Sequence, residues 1–260
     1  MNILDILAEA ARERTEAEKK KVSLQDMKAM ALSLPRLDND FRKALQKDDI
    51  AFICECKKAS PSKGIIAEEF PYIDIAKSYE AAGADCISVL TEPSRFLGSD
   101  DYLKEIAEEV SIPCIRKDFT VDPYMIYHAR VLGAKAVLLI CSILSKEELE
   151  EYIGICRSLG LSALVETHDE KEIITAQNAG ADLIGVNNRD LKSFTVDTGN
   201  SLRLRSLVPD DVIFVSESGV KTPEDIAALR SGGVNAVLIG ETLMRAENKK
   251  AKLAELKGKA

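Results

Sequence analysis

Ala82-Gly83-Ala84-Asp85-Cys86-Ile87-Ser88-Val89-Leu90 and Ala179-Gly180-Ala181-Asp182-Leu183-Ile184-Gly185-Val186-Asn187 follow one pattern. In each, a glycine among small residues closes a helix, an aspartate follows, and an aliphatic run begins. Working outward, the same cycle recurs from residue 50 to the end. Strands are expected at Ile50–Cys56, Asp85–Leu90, Pro113–Lys117, Lys135–Ile140, Leu161–Glu166, Asp182–Asn187, Val212–Glu217 and Asn235–Ile239. Amphipathic stretches lie between them, such as Tyr72–Ala82, Ser145–Leu159 and Pro223–Ser231, and Gly83, Gly133, Gly160, Gly180 and Gly233 punctuate the units. Eight nearly continuous apolar strands alternating with helices predict a (β/α)8 barrel, a TIM barrel of the α/β class, over residues 50–260. A doubly wound sheet would want a glycine-rich turn after the first strand, but that strand runs into Lys57-Lys58-Ala59-Ser60-Pro61-Ser62-Lys63-Gly64.

Residues 1–49 have a different texture and predict a helical extension. Ile3, Leu4, Leu7 and Ala8 have helical spacing, the Lys19-Lys20-Lys21 run reads as a solvated face, and Ser23 to Asp26 reads as a capping box opening a helix that stops before Pro35. The extension has no strand to contribute. It is expected to cover part of the barrel mouth, so that its removal harms turnover more than folding.

The 260 residues carry 35 basic and 43 acidic side chains, a net charge of −8, with 46% hydrophobic residues. Such a balance fits a large soluble core and argues against a general binder of nucleic acid or acidic membranes, which needs a basic surface. No apolar run approaches the roughly 18 residues of a membrane span, and the opening Met1-Asn2-Ile3-Leu4-Asp5 lacks the pattern of a secretory leader, so a cytoplasmic location is expected. Six cysteines fall in strand-like apolar segments with only two histidines in the chain. They read as buried small hydrophobes rather than a disulfide framework or a zinc set, and no metal site is expected.

In such a barrel the chemistry gathers at the C-terminal strand ends. The first strand ends in Glu55-Cys56-Lys57; with Cys54 and Cys56 toward the helices, the period of two points Glu55 and Lys57 into the mouth. Other strands end at Lys117, Glu166, Asn187 and Glu217. One such charge reads as a rim salt bridge, but three carboxylates and two ammonium groups in one mouth suit proton transfer. Of the histidines, His128 falls mid-helix, as surface or packing, and His168 sits in the loop after the fifth strand, within reach of the site, though a capping role is expected. Ser218-Gly219 and Ile239-Gly240-Glu241 follow the last two strands, where barrels hold phosphate on backbone N–H groups.

These segments together resemble the indole-3-glycerol phosphate synthase family. Its signature is matched by Glu55-Cys56-Lys57-Lys58-Ala59-Ser60-Pro61-Ser62-Lys63-Gly64. The likeness continues through Leu90-Thr91-Glu92, Phe96, Gly98-Ser99, Arg116-Lys117-Asp118-Phe119 and Leu164-Val165-Glu166 with His168-Asp169-Glu170. It runs on through Gly185–Leu191, Ser216-Glu217-Ser218-Gly219 and Ile239-Gly240-Glu241, with Leu97 and Thr167 at variable loop positions. The resemblance implies a carboxy-lyase of tryptophan biosynthesis that closes 1-(2-carboxyphenylamino)-1-deoxyribulose 5-phosphate to indole-3-glycerol phosphate, without cofactor or metal. It implies Lys117 as general acid, Glu166 in proton transfer, and Lys57 on the substrate carboxylate and in acid work. Glu55, Asn187 and Glu217 would orient these groups. Ser60 and Arg189 would hold the carboxyphenyl portion, Phe96 and Phe119 its ring, and Ser218, Gly219 and Gly240 the phosphate. The implied partner is a small molecule with phosphate and anthranilate moieties, with other enzymes of the pathway as the proteins to look for. Two alternatives stay open: a phosphoribosylanthranilate isomerase-like barrel, which would place Cys and Asp at the strand ends, and a barrel that binds a phosphate ligand without catalysis, which would have lost Lys117 or Glu166.

Overall fold

The computed structural model describes residues 3–190 and 194–258. Eight parallel strands close into a barrel in chain order: β1 (Ala51–Cys56), β4 (Cys86–Leu90), β5 (Cys114–Lys117), β6 (Ala136–Ile140), β7 (Ser162–Thr167), β8 (Leu183–Asn187), β9 (Ile213–Glu217) and β10 (Ala236–Ile239), which pairs back onto β1. Between β1 and β4, the two-residue strands β2 (Ala59–Ser60) and β3 (Gly64–Ile65) form an antiparallel ribbon above the mouth. No strand is expected there from the sequence, because two-residue strands leave no periodicity to detect.

Each barrel strand begins one residue later than its sequence pattern suggests. The displaced residues tie the strand entries together instead. The Asp85 carboxylate accepts the Phe52 N–H at 2.8 Å and the Lys47 ammonium at 2.8 Å, and Asn235 Oδ1 accepts the Phe214 N–H at 2.8 Å. Alternation along the strands then sorts side chains into two cores. Ala51, Ile53, Ile115, Leu138, Leu164, Leu183, Val215 and Leu238 fill the barrel, while Phe52, Cys54, Cys56, Val137 and Val165 face the helices. All six cysteines are free and buried, as the composition suggests, and burial pushes the Cys54 and Cys56 thiols up.

The outer layer comprises α4 (Tyr72–Ala81), α5 (Asp100–Glu109), α6 (Pro123–Val131), α7 (Lys146–Leu159), α8 (Glu170–Asn178), α9 (Gly199–Arg205), α10 (Pro223–Ser231), α11 (Glu241–Met244) and α12 (Lys249–Leu256). No described helix is long and apolar enough to cross a membrane.

The three helices before β1 do separate jobs. α1 (Ile3–Lys19) places Ile3, Leu4 and Leu7 in the wall of the cavity at the C-terminal strand ends. Arg14 Nη2 reaches both oxygens of buried Asp118 at 2.8 Å, and Lys19 Nζ lies 2.6 Å from Asp122. α2 (Leu24–Ser33) opens on a Ser23 cap and packs on α6. α3 (Asp40–Leu45) inserts Phe41 and Leu45, 0% and 1% exposed, into the interior cluster beside Ala51, Ile53 and Leu183. α3 therefore lends two buried side chains to the barrel's own interior cluster, so the extension adds to the core as well as to the wall of the mouth.

Candidate active site

One cavity of about 460 Å³ opens at the C-terminal ends of the strands. It is lined by Glu55, Lys57, Ser60, Phe96, Lys117, Phe119, Glu166, Asn187, Arg189, Glu217, Ser218, Gly219 and Gly240, so all thirteen sequence candidates meet in one place. Leu191, the last residue of one quoted motif, lies outside the described residues.

The floor is a charge lattice. Lys117 Nζ stands 3.3 Å from Glu166 Oε2 and 3.5 Å from Glu217 Oε2, and Lys57 Nζ stands 2.8 Å from Glu55 Oε1. Glu55 also accepts the Ser88 hydroxyl at 3.2 Å, and Asn187 Nδ2 donates to Glu166 Oε1 at 3.3 Å. Two ammonium groups can balance two carboxylates, not three. Burial alone would raise all three acids, but Lys57 and Lys117 hold Glu55 down, and Lys117 with His168 holds Glu166 down. Glu217 is left over. Burial, with Glu166 and Glu55 nearby, pushes it up to about 8 against the pull of Lys117, so it keeps its proton at neutral pH. Burial works against the charge on Lys117, but Glu166, Glu217 and Glu55 outweigh it and hold the ammonium fully protonated.

Above about pH 8 Glu217 ionises and adds a second negative charge 3.5 Å from the Lys117 ammonium, which tightens its hold on the proton. The kcat of the wild type is expected to fall through that pH, and Glu217→Gln is expected to remove this fall. An unchanged alkaline limb in Glu217→Gln would contradict the assignment.

Two glycines make the lattice fit. A Cβ on Gly185 would lie 2.2 Å from Glu217 Oε1, and one on Gly240 would lie 2.6 Å from Glu55 Oε1. A glycine inside a buried strand marks such a close approach, and Gly185 in β8 is the signal that sequence reasoning passed over.

On one side of the lattice, Phe96 and Phe119 stand with ring centroids 6.2 Å apart, joined by Leu138, Ile140 and the α1 residues Ile3, Leu4 and Leu7. On another, Ser218 and Gly219 take φ of 68° and 94°, and Gly240 precedes α11. All three residues line the cavity, the kind of glycine-bearing loop at the last strands where such barrels hold anions. Glu241 directs its carboxylate to cations, 3.0 Å from Arg245 and 4.0 Å from Lys63 and Arg189. Ser60, in the ribbon, is 8% exposed.

Two expectations change. Thr167 is not in a loop: it ends β7, fully buried, and donates to the Gly185 carbonyl at 3.0 Å. The cap of α8 is Asp169 rather than His168, whose ring instead lies against Glu166. His128 is on α6 as expected, with Nδ1 3.7 Å from Glu18 and 3.9 Å from Asp100. Asp100 is already paired with Arg116 at 2.7 Å.

The barrel is shared with distant proteins: a thiamine phosphate pyrophosphorylase from Pyrococcus furiosus superposes with a TM-score of 0.58 at 15% identity, over 80% of this chain and 94% of that one. Sequence likeness is far closer to one family. Residues 4–256 match the family model for indole-3-glycerol phosphate synthase. Proteins of that name from Ruminiclostridium cellulolyticum and Endomicrobium trichonymphae are 58% and 54% identical, over 99% and 98% of this chain and 100% and 99% of their own lengths. The chain therefore belongs to the indole-3-glycerol phosphate synthase family, a family of decarboxylating lyases of tryptophan biosynthesis.

Proposed function

We propose that the cavity converts 1-(2-carboxyphenylamino)-1-deoxyribulose 5-phosphate to indole-3-glycerol phosphate, carbon dioxide and water. The observation that carries this reading is the Lys117 ammonium between Glu166 and Glu217, in a cavity lined by Phe96 and Phe119 and by the loops of Ser218, Gly219 and Gly240. In the first step the ring carbon that bears the carboxylate attacks the ribulose carbonyl, and the carbonyl oxygen takes a proton from Lys117. Loss of carbon dioxide restores the aromatic ring. The new hydroxyl then leaves as water with a proton from Lys57, freed by the loss of the substrate carboxylate, while Glu166 accepts a proton from the neighbouring carbon to form the indole double bond.

The remaining groups hold the substrate. Lys57, tethered by Glu55, and Arg189 receive the substrate carboxylate; Phe96 and Phe119 pack the ring; Ser60 closes the ribbon side; and Asn187 orients Glu166. The phosphate sits on the backbone at Ser218, Gly219 and Gly240. Bidding for that site, inorganic phosphate is expected to raise the apparent KM in proportion to its concentration and leave kcat unchanged. A fall in kcat without change in KM would place the anion site elsewhere. The enzyme works in the cytoplasm, where the other enzymes of the pathway are the candidate protein partners.

The test is to offer two substrates separately. The carboxyphenylamino deoxyribulose phosphate is expected to give indole fluorescence with one carbon dioxide per molecule consumed, and phosphoribosylanthranilate is expected to be left intact. Consumption of the second without release of carbon dioxide would favour the isomerase instead.

A further inference from the structure

His168 is fixed on three of its atoms. Its main-chain N–H donates to Glu172 Oε2 at 2.8 Å, its ring Nδ1 lies 3.0 Å from the same oxygen, and its carbonyl accepts the Asn200 side-chain amide at 3.1 Å. Glu172 belongs to α8, whose N-terminus is capped by Asp169. This leaves the imidazole one orientation, with Nε2 aimed into the barrel. That nitrogen is shielded from water, makes no hydrogen bond among the described residues, and stands 3.5 Å from Glu166 Oε1.

We infer that His168 is a positioning residue for Glu166, held in place by Glu172. The inference rests on the reading of Glu166 as a catalytic proton acceptor. Its two oxygens are divided between partners: Oε2 faces Lys117 at 3.3 Å, while Oε1 is flanked by Asn187 Nδ2 at 3.3 Å and His168 Nε2 at 3.5 Å. With Nδ1 donating to the Glu172 carboxylate and Nε2 facing Glu166 at 3.5 Å, the ring lies between two negative groups that favour its protonated form. The charged groups facing it are Glu172 from α8, Glu166 from β7 and, farther off, Glu217 from β9. Burial opposes the charge, but the Glu172 hydrogen bond and the Glu166 and Glu172 carboxylates outweigh it and push His168 up to about 9. The second cation keeps Glu166 ionised and turned toward the substrate when Lys117 has given up its proton, the moment at which Glu166 loses its main counter-charge.

Glu172→Gln, His168→Gln, the pair together and Glu166→Gln as reference test this on the full chain, with kcat, KM, the pH profile of kcat and melting temperature measured for each. His168→Gln is expected to lower kcat about tenfold, the scale of one lost charge-assisted contact, with KM within about twofold. Without the imidazolium Glu166 binds a proton more readily, so the acid limb of kcat moves up by about one pH unit. Glu172→Gln moves kcat and the limb in the same direction, and the double variant is no worse than His168→Gln, because Glu172 acts only through the ring. Wild-type kcat with an unmoved acid limb in His168→Gln would overturn the inference while an inactive Glu166→Gln leaves the site reading standing. A loss of kcat matched by melting temperature, with no shift of the limb, would also overturn it. Full activity in Glu166→Gln would overturn the site reading and this inference with it.

Discussion

Lys117→Met is expected to lower kcat by at least about 10²-fold, the usual share of a positioned general acid. The substitution keeps most of the aliphatic stem and deletes the ammonium, so packing changes little while donation becomes impossible. KM is expected to move much less, because phosphate and carboxylate contacts lie on other strand ends. Removing the cation also leaves Glu166 and Glu217 3.3 and 3.5 Å from a neutral group, so both acids are expected to bind protons at higher pH than before. Lys57→Met differs in kind: its ammonium sits with Glu55 and reaches for the carboxylate, so binding and turnover are expected to weaken together. Steady-state kinetics, single-turnover rates and melting temperatures separate these outcomes. Near-normal single-turnover chemistry in Lys117→Met would overturn its role as the acid.

The second large effect is on stability and lies at the opposite end of the barrel. Phe41→Ala is expected to cost about 3–5 kcal/mol, the range for emptying a fully buried phenylalanine site, out of roughly 5–15 kcal/mol for a whole protein. Phe41 is 0% exposed and packs into the barrel's interior cluster, where no neighbouring helix can collapse freely onto the space. A melting temperature lower by on the order of 10 °C is expected, with kcat at 25 °C close to normal because Phe41 does not line the cavity. Deletion of residues 1–19 and of 1–49 is expected to separate the two functions of the extension. The shorter deletion removes the α1 wall and the Arg14–Asp118 pair and lowers turnover; the longer one also unseats α3 and lowers stability. A melting temperature within about 2 °C of wild type for Phe41→Ala would show that α3 only rests on the barrel.

The barrel was legible because its strands are buried on both faces and so read as short aliphatic runs, five of the eight preceded by a helix-closing glycine. The charges at the strand ends were legible for a related reason: along β1 the period of two cannot bury Cys54 and Cys56 among the helices without turning Glu55 toward the mouth. What escaped depends on residues far apart in the chain. Phe41 and Leu45 sit on a six-residue helix among Asp40, Arg42 and Lys43, too short for periodicity to reveal a buried face. Arg14 and Asp118 are 104 residues apart, and neither has a local pattern that names the other. His168 stands beside the true cap, Asp169, so its place in the sequence fits a cap and a site residue alike; the closed barrel brings its ring to Glu166.

A crystal structure of the enzyme with an unreactive analogue of the deoxyribulose phosphate, its C2 carbonyl reduced to an alcohol, tests the central claim most directly. The account predicts the phosphate on the backbone of Ser218, Gly219 and Gly240, the aromatic ring against Phe96 and Phe119, and the C2 oxygen within about 3 Å of Lys117 Nζ. A C2 oxygen turned to Lys57 with Lys117 out of reach, or a phosphate seated away from those three residues, would contradict it.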